Sequence, residues 1–196
     1  MNYDKKELRK SVLKERSGLS QEEYRTLSES VCKRLTALNL YKKANTVFAY
    51  AAIRNEICCD ILIEKAMKDG KKVALPKVLS SDGSNEMQFF YINEESALSS
   101  GFMGICEPEE DYANLAIPSE KTLIVLPGIA FDRNFARIGY GKGFYDRYLS
   151  LYSENTQSVA VCYDFQLFDE IPTDKHDIPA DAIVTPTETL LRKNIL

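Results

Sequence analysis

With 196 residues, 44% of them hydrophobic, the chain can bury one sizeable core and is too short to favour two full domains, so a single domain over 1–196 is expected. Its 25 basic against 29 acidic residues give a formal charge of −4, which leaves no global basic field to hold nucleic acid or an anionic membrane. The 5 cysteines lack C-x-x-C spacing and His176 is the sole histidine, which argues against a disulfide framework, a structural zinc site or any metal centre built on several imidazoles.

Lys5 to Arg16 is predicted helical, with Leu8 and Val12 as its apolar seam. Lys5 and Arg9 share a neighbouring face, which reads as a solvated charged surface unless an anion lies opposite. Ser20-Gln21-Glu22-Glu23 has the capping-box pattern, and Tyr24, Leu27, Val31, Leu35 and Leu38 follow at helical spacing. Thr46 to Tyr50 has the form of a strand buried on both faces of a parallel sheet, with Glu56 just past its end. Asp60 to Lys68 reads as a helix stopped by Gly70, and Lys72 to Leu75 as a strand halted by Pro76. Strand, helix, strand is a βαβ unit, so the predicted fold class is α/β, with a mainly parallel sheet. Ser80 to Asn85 is turn-rich, Met87 to Ile92 is a candidate strand, and Ser99 to Ser119 is expected to be a long ordered loop, a kind of segment that often carries function. Thr122 to Leu126 is the clearest buried strand. Further strands are expected at Ser158 to Cys162 and Ala182 to Thr185, with Thr187 capping a short C-terminal helix.

The densest chemical signal lies between the strands expected at Thr122 to Leu126 and Ser158 to Cys162, in Arg137-Ile138-Gly139-Tyr140-Gly141-Lys142-Gly143-Phe144-Tyr145-Asp146-Arg147. Glycines let backbone N–H groups approach a phosphate closely, and Lys142 adds a mobile charge. A helix over Phe144 to Tyr152, burying Phe144, Tyr148, Leu151 and Tyr152, would aim its amino terminus at a bound anion. The run matches neither the dinucleotide fingerprint nor a Walker A loop, so a phosphate cradle and a glycine-rich structural turn both stay open. Asp146 is explained by the helix dipole alone, or by recruitment of Mg2+ beside a triphosphate; Asp132 and Asp181 are the other acidic residues flanking strand ends. Ligands of open α/β sheets bind outside the carboxyl ends of the strands, so Glu56, the Pro127 to Tyr145 segment and the approach to Asp181 are expected at one rim. Reduced thiols, a charged start and no run near ~18 apolar residues point to the cytoplasm, without a signal peptide or membrane span.

With these residues in hand, the chain resembles the 5-formyltetrahydrofolate cyclo-ligase family over nearly its whole length. The resemblance rests on Lys5-x-x-x-Arg9, Asn55-Glu56-Ile57, Ala74-Leu75-Pro76, Gly104-Ile105-x-Glu107-Pro108, Leu126 to Asp132, Arg137 to Asp146, and Asp181-x-Ile183-Val184-Thr185. It implies ATP-dependent closure of 5-formyltetrahydrofolate to 5,10-methenyltetrahydrofolate through a phosphorylated formyl group. It also implies a sheet sandwiched by helices, and a monomer with a folate substrate, ATP and Mg2+. Carried over by position, Lys5, Arg9 and Arg137, Ile138, Gly139, Tyr140, Gly141, Lys142, Gly143, Phe144 and Tyr145 would hold ATP. Lys142 and Arg137 would stabilise the moving phosphoryl, and Asp146 and Asp181 would hold Mg2+. Glu56 would face the folate, with Tyr140 to Phe144 shared between the two ligands. A non-catalytic nucleotide- or folate-binding relative and an ATP-dependent enzyme on another small molecule are the competing readings. The family usually has glycine near Phe135, so the loop before Arg137 is expected to turn differently; Cys59 replaces a common threonine, with little effect expected.

Overall fold

The computed structural model describes residues 4–79, 86–93 and 98–192; the turn expected over 80–85 lies outside them. The capping box at Ser20 is formed: its hydroxyl accepts from the Glu23 amide and the Glu23 carboxylate accepts from the Ser20 amide. It opens α2 (Gln21–Ala37), which follows α1 (Lys5–Ser17) and precedes α3 (Asn39–Lys43), α4 (Asp60–Lys68) and α5 (Phe144–Tyr152). The strands among the described residues are β1 (Thr46–Phe48), β2 (Lys72–Val78), β3 (Met87–Ile92), β4 (Leu98–Ser100), β5 (Cys106–Pro108), β6 (Leu115–Ala116), β7 (Thr122–Leu126), β8 (Ala130–Asp132), β9 (Arg137–Ile138), β10 (Gln157–Val161), β11 (Leu167–Phe168), β12 (Ala182–Val184) and β13 (Thr189–Leu191).

The main sheet runs β13-β12-β10-β7-β1-β2-β3-β6. From β12 through β10, β7 and β1 to β2 the neighbours are parallel, as the βαβ pattern predicts, and antiparallel strands close both edges. The apolar runs of the central strands are explained by burial on both faces. Val47, Val73, Leu123 and Val159 point to one layer, with Val31 and Leu35 of α2 and Leu62 of α4. Phe48, Ala74, Ile124 and Ala160 point to the other, with Tyr148 and Leu149 of α5.

Four expectations are corrected. Pro76 does not end β2; the strand continues to Val78 and Pro76 pairs with Phe89. β1 pairs with β2 only as far as Ala74, so beyond it one side of β2 needs no donor and a proline is tolerated. The segment Ser99 to Ser119 is not a plain loop: it carries β5, β6 and short 3-10 turns, all too brief to show a period. Thr187 caps no helix, because its hydroxyl donates to Asp164 and the chain goes on into edge strand β13. On α5 Tyr148 is buried as expected, but its buried neighbour is Leu149, whereas Leu151 is 70% exposed.

A second small sheet, β11-β8-β9, matters more for function. Leu8 of α1 packs on its Ala130 and Ile138, beside Ala136 and Ile171, which brings the amino-terminal helix against the strand that ends at the glycine run. Phe135, in the turn between β8 and β9, adopts φ +69, the left-handed conformation that glycine takes readily. Phe135 thus takes a glycine-like backbone conformation despite its side chain. Asp132 enforces it, accepting from the Asn134 and Ala136 amides at 2.9 Å each, while the Phe135 carbonyl accepts from the Ala180 amide at 2.9 Å.

Candidate active site

A cavity of about 470 Å³ opens beyond the carboxyl ends of β1 and β7, where parallel strands leave room for a ligand. Tyr50 follows β1 into its wall, Pro127 follows β7, and the glycine run after β9 supplies one side. Gly141 and Gly143 have φ +94 and +67, so both depend on lacking a Cβ; at Gly143 one would also lie 2.8 Å from Arg147 Nη1. Gly143 is the N-cap of α5, and among the described residues no side chain caps that helix, so its first amides have no side-chain acceptor.

Cations converge on this loop. Arg9 Nε donates to the Gly139 carbonyl at 2.9 Å, and Arg137, buried beneath, donates to Asp146 Oδ1 at 2.7 Å. Among the described residues the Arg137 Nε has no hydrogen-bond partner. Lys142 is exposed at the tip and makes no ion pair among the described residues. Lys5 Nζ instead meets Asp174 at 2.6 Å and Asp177 at 2.9 Å. Burial works against its ammonium, but the two carboxylates prevail and hold its pKa above the ordinary value. Asp146 spends Oδ1 on Arg137 and on the Ile178 amide at 3.3 Å.

Opposite lies Glu56, only 5% exposed. Its Oε2 accepts from the Ile53 amide at 3.1 Å, whereas among the described residues Oε1 has no hydrogen-bond partner, Arg16 Nη2 standing 3.9 Å off. Burial pushes the Glu56 carboxyl up to about 7, with Arg16, the Ile53 amide, Tyr140 and Arg54 opposing the rise. The turn before it is unusual: Arg54 and Asn55 have φ 47 and 55. Each left-handed residue of this kind is unfavourable by roughly 1–2 kcal/mol, so outside bonds must hold the turn. Arg16, fully buried, supplies them through donations to the Ile53 and Arg54 carbonyls at 2.6 to 2.9 Å. A third wall comes from the segment after β4, where Phe102 sits edge-on to Phe144 with centroids 5.7 Å apart. There Glu107 is buried against Lys77 at 3.7 Å.

The cavity thus brings together Lys5, Arg9, Glu56, every residue from Arg137 to Tyr145, and Asp146. Asp181 is not among them. In register, Ile183 is level with Ala160 and Leu126, so Asp181 stops roughly two residues, or about 7 Å, short of the strand ends. The expectation fails because Asp181 precedes its strand, at the end of the sheet opposite the one where Glu56 and Pro127 follow theirs. Its carboxylate is engaged there by the Ser158 amide at 2.8 Å and hydroxyl at 3.2 Å. Three residues escaped the sequence reading. Asp174 and Asp177 sit in a polar stretch with no pattern to betray a partner near residue 5. Arg16 did leave a trace, since it continues the Leu8, Val12 seam by one more step of four.

The residue types fit the groups that a nucleotide-dependent reaction needs. A glycine loop, an uncapped helix start and several cations suit a polyphosphate, and Asp146 is one carboxylate of the kind that recruits Mg2+ alongside phosphate oxygens. Among the described residues no cluster of three acidic, histidine or cysteine side chains could hold a metal unaided. A family model described as the 5-formyltetrahydrofolate cyclo-ligase family matches residues 1–186. A probable 5-formyltetrahydrofolate cyclo-ligase of Schizosaccharomyces pombe is 31% identical, over 97% of this chain and 98% of that protein. The 5-formyltetrahydrofolate cyclo-ligase of Escherichia coli K12 is 30% identical, over 90% and 97%. Among solved structures, the Aquifex aeolicus 5,10-methenyltetrahydrofolate synthetase superimposes with a TM-score of 0.83 at 38% identity, over 95% of this chain and 92% of that one.

Proposed function

The chain belongs to the 5-formyltetrahydrofolate cyclo-ligase family, and on that premise we propose an ATP- and Mg2+-dependent ring closure in its cavity. The enzyme is a carbon–nitrogen ligase acting on 5-formyltetrahydrofolate. The formyl oxygen takes the γ-phosphoryl of ATP, ADP leaves, N10 attacks the activated formyl carbon and gives up its proton, and phosphate departs to give the 5,10-methenyl product. Such phosphoryl transfer asks the protein for position and for charge that meets the moving group.

Gly139 to Tyr145 and the start of α5 cradle the phosphates, with Lys5 and Arg9 reaching them from α1. Lys142 and Arg137 meet the charge of the transferring phosphoryl. Asp146 is the protein's carboxylate for Mg2+, which neutralises phosphate charge when bound. Glu56 accepts from the amino and ring N–H groups of the pterin. One observation carries this: a single cavity has a glycine loop flanked by cations on one side and, on the other, a buried carboxylate whose Oε1 accepts no hydrogen bond among the described residues. Incubation with 5-formyltetrahydrofolate, ATP and Mg2+, followed by the near-ultraviolet absorbance of the methenyl product, tests it. Product is expected only when all three are supplied; a folded, ATP-binding sample that yields none overturns the proposal.

A further inference from the structure

We infer that Arg16 is the positioning residue of the folate end of the site, fixing the Glu56 carboxylate in place and in charge without touching either ligand. This rests on the reading of Glu56 as the pterin acceptor. Arg16 is 0% exposed and forms no part of the cavity wall. Its Nε and Nη2 reach the Arg54 carbonyl at 2.9 and 2.6 Å, and Nη2 reaches the Ile53 carbonyl at 2.8 Å and the Tyr140 hydroxyl at 3.1 Å. Its own carbonyl accepts from Asn55 Nδ2 at 2.9 Å. One residue therefore clamps the left-handed Arg54-Asn55 turn from both ends and ties it to the glycine loop through Tyr140. A planar guanidinium can serve several acceptors at once, which a lysine ammonium cannot do in the same geometry.

The ionisable groups facing Glu56 are Arg16 from α1, Arg54 from its own turn, Tyr140 from the glycine loop, Tyr145 from α5, and Tyr50, Cys59 and Tyr163. The tyrosines and the thiol are all held neutral, their pKa values raised by burial. Arg54 is exposed, so Arg16 is the one buried cation among them. Removing it would push Glu56 further toward its protonated form, which has lost an acceptor site for the pterin.

Two substitutions separate place from charge. Arg16→Lys keeps the charge and loses the clamp; it is expected to raise KM for 5-formyltetrahydrofolate about tenfold with kcat little changed, and to leave the acid limb of kcat/KM where it is. Arg16→Met loses both, and its acid limb is expected to move up by about one pH unit or more. In a Glu56→Gln background that movement should vanish. An unshifted limb in a folded Arg16→Met enzyme, or equal changes in kcat and KM in both variants, overturns the inference. Should Arg16→Met not fold, calorimetric binding of 5-formyltetrahydrofolate to Arg16→Lys decides, and affinity equal to wild type overturns it. Absence of turnover in the wild type would sink the functional proposal instead. The effect of Arg16 on Glu56 would then be read by carbon-13 titration of the Glu56 carboxyl in wild type and variant.

Discussion

Glu56 is kept where an ionised carboxylate is least favoured, with its pKa raised by burial to about 7. A carboxyl whose folded value lies above its unfolded value of 4.5 binds its proton more tightly in the native state. Below the unfolded value the group is neutral in both states and nothing is lost. As the pH rises from there through the folded value, the native state is progressively destabilised, by up to roughly 3 kcal/mol. Glu56→Gln is therefore expected to gain stability over wild type at pH 8 and almost nothing at pH 4, measured by urea unfolding. The same variant should bind folate more weakly. Lys142→Ala is the counterpart on the other side of the cavity: kcat is expected to fall by about a hundredfold or more with folate affinity nearly intact, as read by steady-state kinetics. Phe135 carries a third expectation. Its φ of +69 inverts the usual ranking, so Phe135→Gly should unfold at a higher temperature than Phe135→Ala, by roughly 1 kcal/mol of stability.

At the scale of elements, what was legible followed the strength of the local pattern. The bounds of α4, β3, β7 and α5 coincide with their predicted runs, because periodicity, Gly70 and Pro127 mark them unambiguously. The pieces after β3 were hidden, since two- and three-residue strands have no period and are made by their neighbours. The glycine loop was legible as chemistry, yet its left-handed turns at Gly141 and Gly143 became specific only once Arg9 and Arg147 were seen beside them. Gly143→Ala is expected to disturb the loop through both its φ and its approach to Arg147, lowering ATP affinity by about tenfold or more in equilibrium binding while the sheet stays folded. Pairings across the chain, such as Lys5 with Asp174, could not be read because nothing local encodes them.

At the scale of the molecule, parallel strands give the sheet a functional end and a structural end. Glu56 and the glycine loop are at the first, Asp181 on the way to the second. Asp146→Asn is thus expected to raise the Mg2+ concentration needed for half-maximal activity, whereas Asp181→Asn should leave it unchanged and weaken only the junction of β10 and β12. A magnesium titration of the two variants checks both.

The packing of α1 has a temporal consequence. Lys5, Leu8 and Arg9 make their contacts with Asp174 and Asp177, with Ala130 and Ile138, and with Gly139. The first turns of α1 therefore wait for most of the chain before their partners exist, whereas its Arg16 end meets the Ile53 and Arg54 carbonyls sooner, and contacts this distant in sequence form late. A nascent chain arrested before residue 130 would have the β1–β2 pair and the Glu56 side of the cavity but not the glycine run opposite it. In pulse-labelled refolding, the amides of α1 should gain protection after those of β1 and β2, and nucleotide binding should appear with them.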